Sequence, residues 1–253
     1  MEYSQPFISV ITVVFNAEKH IERTLLSIIN QFNVNVEYII VDGASTDNTP
    51  KIIEKYKSHI KVYLSEPDKG LYDAMNKGLK LASGKYVWFI NAGDEIAGQQ
   101  TIDKLLPFDG KDILYSDTIV IDENAEELGL LSQLTHNNAP DNLNWKMMKK
   151  GMVVCHQSFI VKKEMAPFFD TKYRLSSDIN WVIECLKKAK NTQKVNTPLS
   201  KFMRAGLSKQ KINQAMKERY FILKYHFGFW PNLVNHLFLV FRFLSSGRKS
   251  KLS

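Results

Sequence analysis

The stretch Lys85-Tyr-Val-Trp-Phe-Ile-Asn-Ala-Gly-Asp94 decides the fold. Its first part, Tyr86 to Ile90, is a short apolar run rich in aromatic and β-branched residues, which is typical of a strand buried on both faces of a sheet. Asn91-Ala-Gly then ends the strand and leaves Asp94 at its carboxyl end, the edge at which open α/β sheets bind ligands. A carboxylate there either helps to hold a divalent cation that substrate phosphates also bind, or caps the turn that follows.

Three strand-and-helix units precede this stretch. Strands are predicted at 7–15, 36–41 and 60–64, and helices at 17–32, from 49 onward and at 71–81. Consecutive units with short links predict a parallel α/β sheet with helices on its faces. The looser pattern after Asp94 predicts helices at 101–106, 141–149 and 178–190, and strands at 112–115, 118–121, 128–131 and 158–161.

The composition argues against several classes of protein. With 253 residues, 44% hydrophobic and 24% charged, the chain has an ordinary globular make-up. Cys155 and Cys185 lack C-x-x-C spacing, which argues against a disulfide framework or a zinc site and favours a reducing compartment. Residues 1–30 show no signal-peptide pattern, and no stretch predicts a transmembrane helix. Neither G-x-G-x-x-G after the first strand nor a P-loop is present, which argues against a dinucleotide oxidoreductase.

Positive charge is concentrated at the end of the chain. The net charge is +8, but residues 201–253 carry 11 Lys or Arg and one acid, Glu218, so this tail has +10 and the rest −2. A basic helix is predicted at 208–225, and an apolar helix at 233–244 that is too short to span a bilayer. The tail predicts contact with an anionic membrane interface, or packing on the body or a second subunit. Nucleic acid is disfavoured because stacking aromatics interleaved with Lys or Arg are not evident.

Acidic residues follow three successive predicted strands. Asp42, Asp68 and Asp94 lie at or shortly after the carboxyl ends of these strands. Because those ends share one edge of a parallel sheet, we expect the carboxylates to converge in a crevice suited to a metal–phosphate ligand, a base or a ribose. The alternative is that polar residues end strands in most proteins.

Four motifs occur in order: S-V-I-T-V-V-F-N (9–16), V-D-G-A-S-T-D-N-T (41–49), S-E-P-D-K-G-L-Y-D-A-M-N-K-G (65–78) and F-I-N-A-G-D (89–94). Over about residues 7–210 this series resembles glycosyltransferase family 2, especially bacterial enzymes that build capsule, exopolysaccharide and O-antigen units. The resemblance implies an α/β GT-A fold: a Rossmann-like, mostly parallel sheet with helices on both faces, plus a helical C-terminal tail. It implies a domain at 1–207, with a nucleotide-sugar-binding half (1–98) and an acceptor-binding half (99–207), and a tail at 208–253.

The resemblance also implies roles for residues around the donor. Phe15 and Asn16 would edge the nucleotide pocket, and Asp42 would accept a hydrogen bond from uracil. Asp94 would bind the Mg²⁺ or Mn²⁺ ion that holds the diphosphate. The family commonly has Asp where this chain has Asn91 and Gly93; Asn91 suits a ribose hydroxyl better than a cation, so the cation should bind weakly until the nucleotide arrives. Further donor-binding roles fall to Asp68, Asp73 and Asn76 around the ribose and sugar, His156 at the donor or acceptor sugar, and Arg204 at the diphosphate.

The last role is that of the general base. Inverting transfer needs a group that takes the proton from the attacking hydroxyl. Asp178, in Leu175-Ser-Ser-Asp, resembles the family's catalytic acid, although Ser-Ser-Asp is also a good helix start. His156 and Arg204 likewise have structural alternatives, as a buried histidine and an ordinary surface arginine.

The resulting prediction is an inverting sugar transferase. It takes a nucleotide-diphosphate sugar, with UDP favoured, and transfers the sugar to a polyprenyl-diphosphate-linked or other glycan acceptor. We expect it in the cytoplasm at the inner-membrane face, with peripheral membrane contact through the tail, no nucleic-acid partner and a possible homodimer. The alternative is a non-catalytic nucleotide-sugar-binding protein of the same fold.

Overall fold

The computed structural model describes residues 5–31, 35–135, 139–204 and 212–230. Its central sheet has seven strands, of which four form a parallel block in the order β3-β2-β1-β4. These strands are β1 (Ile8–Val14), β2 (Val36–Asp42), β3 (Val62–Ser65) and β4 (Tyr86–Phe89). The four predicted strands therefore form a parallel block, with their carboxyl ends at one edge.

The other side of the central sheet is mixed. β9 pairs antiparallel with both β4 and β6, and β10 runs parallel to β6 at the far edge. The strands are β6 (Ile113–Tyr115), β9 (Phe159–Lys162) and β10 (Thr192–Lys194). A mostly parallel sheet is thus confirmed, and β9 is the strand that reverses direction.

A second, smaller sheet lies beside the carboxyl end of β4, in the order β5-β11-β7-β8. It consists of β5 (Glu95–Ile96), β7 (Thr118–Ile121), β8 (Glu127–Leu130) and β11 (Ser200–Met203). β7 pairs antiparallel with β8, and the two strands correspond to those predicted at 118–121 and 128–131. Strands β5, β10 and β11 were not predicted, because runs of two to four residues carry too little periodicity.

Helices cover both faces of the central sheet. They are α1 (Ile21–Ile29), α2 (Thr49–Lys55), α3 (Leu71–Leu81), α5 (Ser177–Lys188) and α6 (Ile212–Phe227), whereas the short α4 (Leu131–Leu134) packs on β7 and β8 of the second sheet. Alternate residues of β1 face opposite cores: Ile8 and Val10 pack with α1 and α2, whereas Ile11 and Val13 pack with α3 and α5. Gly78 of α3 permits this packing, since a Cβ atom there would lie 2.4 Å from the Ile11 side chain.

Two predicted α-helices are instead short 3₁₀ segments. The chain forms one at Asp103–Phe108, where Pro107 has no N–H to donate. It forms another at Trp145–Lys150, later than predicted, because Asn144 is its extended cap residue and accepts a hydrogen bond from the Lys146 N–H.

Helix α6 packs on the body of the protein. Ile222 and Leu223 are buried in the core that also contains α5, and the Phe227 ring stacks on Trp145 with centroids 5.4 Å apart. Of the options predicted for the tail, packing on the body of the protein is therefore confirmed for α6. The predicted apolar helix at 233–244 lies outside the described residues. Among the described helices, none is both long and apolar enough to cross a membrane.

His226 makes the docking of α6 sensitive to pH. Its fully buried ring lies 2.8 Å from Asn180 Oδ1 through Nε2 and 2.8 Å from Lys187 Nζ through Nδ1. Burial, helped by the Lys187 charge, lowers the pKa of His226 from 6.5 to about 4. The unfolded chain therefore binds more protons between these values, and the free energy of unfolding should fall as pH decreases from about 6.5 to about 4.

Urea denaturation at pH 7 and pH 5 checks this prediction. His226→Gln should lose less stability between the two pH values than the wild-type protein does. His156, which is unchanged in the variant, keeps its own contribution in both proteins. An equal loss in both proteins would show that His226 does not carry the effect.

Candidate functional site

The loop at residues 91–94, which carries Asp94, is held by hydrogen bonds from β11 and from two residues of α1. The Asp94 side chain is only 5% exposed, and its Oδ1 accepts a hydrogen bond of 2.9 Å from the Met203 N–H of β11. From α1, the Thr24 hydroxyl accepts from the Gly93 N–H at 2.9 Å and donates to the Asp94 carbonyl at 2.7 Å. The Arg23 guanidinium donates to the Gly93 carbonyl at 3.0 Å. The loop is therefore held by main-chain hydrogen bonds, which position Asp94 in advance of any ligand.

The pKa of Asp94 lies near neutral pH, so its side chain can be either protonated or ionised there. Burial raises the pKa of Asp94 to about 7, although the Met203 N–H and the Gln157 side chain both favour the ionised form. A positive charge nearby would favour the carboxylate further. Asp94 thus has the properties of a group that becomes fully ionised when a cation is present.

The residues around Asp94 fit a cation that is weakly held. Asn91 Oδ1 is buried without a hydrogen-bond partner, and the Asp94 N–H donates to the Asn91 carbonyl at 2.9 Å. Gly93 has a φ of 102°, a conformation that residues with side chains rarely adopt, so a second carboxylate at this position would strain the backbone. No group of three His, Cys, Asp or Glu suited to a metal occurs among the described residues. A hard cation would take most of its oxygen ligands from substrate and water.

Phe15 and Asp68 border a recess over Gly43. A Cβ atom on Gly43 would lie 2.4 Å from Asp68 Oδ2 and 3.3 Å from the Phe15 ring, so glycine keeps the recess open. Phe15 is 61% exposed although it is aromatic. Asp68 is fixed because its Oδ1 accepts from the Gly70 N–H at 2.7 Å. An exposed ring beside a carboxylate is a surface on which a base can stack and hydrogen-bond.

Asp42 and Asn16 shape the neighbouring loop. Asp42 is fully buried and accepts hydrogen bonds from the Ser45 N–H at 3.1 Å and the Ser65 hydroxyl at 2.7 Å. Asn16, at a φ of 47°, accepts from the Thr46 N–H at 2.9 Å. Both side chains thus hold the loop that follows β2, and their predicted contacts with the nucleotide stay predictions.

The three carboxylates that follow the strands have separate hydrogen-bond partners. Strand β1 lies between β2, which carries Asp42, and β4, which precedes Asp94. Asp42 is engaged with serine hydroxyls, Asp68 with the Gly70 N–H, and Asp94 with Met203. Neighbouring strands are about 4.8 Å apart, and the expected convergence of these carboxylates in one crevice stays a prediction.

The two α3 residues are engaged at the helix surface. Asp73 Oδ2 accepts from the Lys69 N–H at 3.0 Å. Asn76 donates to the Phe169 carbonyl at 2.9 Å and accepts from the Phe169 N–H at 2.7 Å. Asn76 therefore positions Phe169, and its contact with the donor stays a prediction.

Asp178 lies in the first turn of α5, beside α3. Its Oδ1 accepts a hydrogen bond of 3.1 Å from the Tyr72 hydroxyl. Burial raises the pKa of Asp178, while the Arg219 charge opposes this shift. The cap position of α5 is Ser176, so Asp178 is not the capping residue. A carboxylate with a raised pKa is a stronger base, as proton abstraction requires.

His156 is buried among aromatic rings. It is 4% exposed, and its ring centroid lies 5.3 Å from Trp181 and 5.6 Å from Phe89. Its Nε2 has no hydrogen-bond partner, and burial lowers the pKa of His156 to about 4, which keeps the ring neutral. Burial raises the pKa of the adjacent Cys155 to about 12, and the charges of both Asp94 and Asp178 add to that shift. The 155–157 segment therefore lies within reach of both acids.

An open cleft borders the Tyr72–Asp178 pair. It has a cavity volume of about 60 Å³ and lies between the start of α3 and the segment before α5. Its lining residues are Lys69, Gly70, Leu71, Tyr72, Asp73, Thr171, Tyr173 and Arg174. Arg204 is elsewhere: it is exposed at the end of β11, where its N–H donates to the Ile121 carbonyl at 3.0 Å.

Two residues of this site were not predicted from the sequence: Thr24 and Tyr72. Thr24 gave a signal, since it is a polar residue on the apolar face of α1 and is fully buried. Tyr72 lies inside the third motif, next to Asp73. Gln157 follows His156, and only the fold shows that it hydrogen-bonds to Asp94.

Comparison with known proteins identifies the family. The model of glycosyl transferase family 2 matches residues 9–166. An uncharacterized glycosyltransferase of Mycobacterium tuberculosis (strain ATCC 25618 / H37Rv) is 36% identical over 100 residues, which are 39% of this chain and 38% of that protein. The chain thus aligns with about two fifths of that relative's length.

Two solved structures share the fold. S. aureus TarS 1-349 in complex with UDP-GlcNAc superposes with a TM-score of 0.63 at 18% identity, over 86% of this chain and 66% of that one. Glucosyl-3-phosphoglycerate synthase from Mycobacterium tuberculosis, in complex with Mn²⁺, UDP and glucosyl-3-phosphoglycerate, gives a TM-score of 0.58 at 18% identity, over 86% and 80%. The predicted GT-A fold is therefore confirmed, and because the family model covers more than half of the sequence, the chain belongs to glycosyl transferase family 2.

Proposed function

We propose that this protein is an inverting glycosyltransferase that moves a sugar from a UDP-sugar to a hydroxyl group of a glycan or lipid-linked glycan. The observation that carries the proposal is the placement of two carboxylates around the 155–157 segment. Asp94 is rigidly held beside an unpaired amide oxygen, and Asp178 has a raised pKa beside an open cleft. Family membership and neighbours solved with UDP-GlcNAc, or with UDP and Mn²⁺, support the choice of donor.

The donor lies along the edge from Phe15 to Asp94. The base stacks at Phe15 and hydrogen-bonds in the recess over Gly43, beside Asp42 and Asp68, while Asp73 faces the sugar side. Asp94, with Asn91 beside it, would hold the Mg²⁺ or Mn²⁺ ion, which would supply charge neutralisation for the leaving diphosphate. Arg204 adds positive charge near the same group, from the second sheet.

The acceptor enters from the cleft beside Asp178. The acceptor oxygen attacks the anomeric carbon, the bond from that carbon to the diphosphate oxygen breaks, and the configuration inverts. Asp178 takes the acceptor proton on Oδ2, since Oδ1 is hydrogen-bonded to Tyr72. The unpaired His156 Nε2 is available to a sugar hydroxyl. In this scheme residues 1–98 bind the donor and residues 99–207 the acceptor, in bacterial surface polysaccharide synthesis.

A panel of nucleotide sugars tests the function directly. With Mn²⁺ present, one UDP-sugar should raise the unfolding midpoint by more than UDP alone and should release UDP slowly by hydrolysis. Binding without hydrolysis or transfer would favour the non-catalytic alternative, to which the missing carboxylates at Asn91 and Gly93 lend support. If no nucleotide sugar stabilises the protein or is consumed, the proposal is wrong.

We further propose that the outer side of α6 and the tail contact an anionic membrane. The Tyr225 side chain on α6 is 76% exposed, and that of Trp230, beyond the end of α6, is 73% exposed. Lys217 and Lys224 are also exposed on α6. Exposed aromatic residues with cations suit the headgroup region. Vesicles containing phosphatidylglycerol should co-sediment the full chain, and Tyr225→Ala with Trp230→Ala should weaken this. Binding that is unchanged by the substitutions, or a dimer buried on this face, would contradict the assignment.

A further inference from the structure

A single side chain of α6 holds the segment that leads into α5. Glu218 Oε2 accepts hydrogen bonds from the Leu175 N–H at 2.8 Å and the Ser176 N–H at 3.0 Å. Its Oε1 accepts from the Arg174 N–H at 3.2 Å. The Ser176 hydroxyl in turn donates to the Ala215 carbonyl at 3.2 Å. The start of α5 is thus tied to α6 by four hydrogen bonds.

Glu218 fixes the three residues directly before α5. The side chain of the cap residue, Ser176, makes no capping hydrogen bond, so the main-chain hydrogen bonds to Glu218 are what orient this segment at the start of the helix. Glu218 is also the one acidic residue between Lys201 and Ser253, in a tail with a net charge of +10. The basic tail therefore places its lone carboxylate directly before the turn that carries Asp178.

We infer that Glu218 is a positioning residue for the general base Asp178, so that helix α6 is part of the catalytic apparatus and not only an extension of the fold. This inference rests on the proposed function. Asp178 is two residues beyond Ser176, so a shift of the 174–176 segment moves the carboxylate away from the acceptor hydroxyl. Arg219, next to Glu218, adds a positive charge near Asp178. Helix α6 thus acts on the base through both geometry and charge.

Glu218→Ala tests this inference against Asn213→Ala, a matched substitution of an exposed residue on the same helix. The assay uses, at saturating concentration, the UDP-sugar and the acceptor that the wild-type protein consumes. Glu218→Ala should lower kcat about 10- to 100-fold, the scale expected when a catalytic group is misplaced by about 1 Å. The dissociation constant for UDP should stay within about twofold, because the nucleotide edge is formed by other elements. Glu218→Gln keeps one acceptor oxygen and should give an intermediate kcat. Asn213→Ala should behave as wild type.

The outcomes separate positioning from simple stability. An unchanged kcat in folded Glu218→Ala overturns the inference, as does a parallel loss of kcat and UDP binding that follows a lowered unfolding midpoint. If Glu218→Ala does not fold, the near-isosteric Glu218→Gln is judged by the same criteria. Inactivity of the wild-type protein with every nucleotide sugar would instead refute the proposed function, so the two failures are distinguishable.

Discussion

Asp178→Asn is expected to lower kcat for sugar transfer by on the order of 10²- to 10⁴-fold, the usual contribution of a positioned general base. The carboxamide can still accept the hydrogen bond from Tyr72 but cannot take a proton from the acceptor hydroxyl. UDP binding should be nearly unchanged, because the proposed nucleotide site is at Phe15, Gly43 and Asp94. Initial rates at saturating donor, together with calorimetric titration of UDP, measure both quantities.

The same variant should be more stable than the wild-type protein at neutral pH. Burial raises the pKa of Asp178 above its unfolded value, so the ionised group costs stability in full at pH values above the folded pKa, and this cost declines as pH falls from the folded pKa to the unfolded one. The neutral side chain of Asn lacks this cost. Its unfolding midpoint at pH 7 should therefore exceed that of the wild-type protein.

Asp141→Asn is the matched control for both effects. The Asp141 side chain is 89% exposed and pairs only with Lys194 among the ion pairs of the described residues. This control should keep the activity and the unfolding midpoint of the wild-type protein. A fully active Asp178→Asn variant would refute the assignment of the base, and a variant that is inactive and also less stable would indicate that Asp178 serves the fold.

Asp94→Asn should abolish the stimulation of activity by Mn²⁺ or Mg²⁺ and lower kcat by on the order of 10²- to 10³-fold, comparable to the loss of one electrostatic partner of a leaving group. Asn can keep the hydrogen bond from the Met203 N–H, so the loop should stay in place while the negative charge is lost. The removal of metal by chelation should reproduce the defect in the wild-type protein and add nothing in the variant.

Asp109→Asn provides the comparison, since it removes an exposed carboxylate that pairs with Lys85. Its dependence on metal should match that of the wild-type protein. If Asp94→Asn responds to Mn²⁺ as the wild-type protein does, the cation is held elsewhere. The affinity for UDP with and without Mn²⁺ gives an independent readout, because in the wild-type protein the metal should tighten UDP binding.

The elements that could be predicted are those with strong local patterns. Helix α3 occupies the predicted range Leu71–Leu81, and β7 the predicted range Thr118–Ile121. Both have a clear periodicity of apolar residues over their own length. The resemblance of four ordered motifs also predicted the family correctly, since motifs at strand ends are local in sequence.

The partners of the site residues could not be predicted in this way. Asp94 is bound by Met203, 109 residues further along the chain, and Asn76 by Phe169, 93 residues away. Strand β11, which carries Met203, is only four residues long and leaves almost no pattern. Such contacts depend on how distant segments pack, and local patterns in the sequence do not predict them.

The sequence by itself thus determined the βα order, the family and the candidate carboxylates Asp94 and Asp178, because each is encoded in a short run of residues. Only the tertiary structure decided where each carboxylate lies and what holds it. It separated Asp42 from Asp94 by a strand, buried His156 among aromatic rings and brought Glu218 of the basic tail to the helix of Asp178. The physical reason is that burial and hydrogen bonding across the fold, which set the position and pKa of each side chain, arise only when distant segments meet.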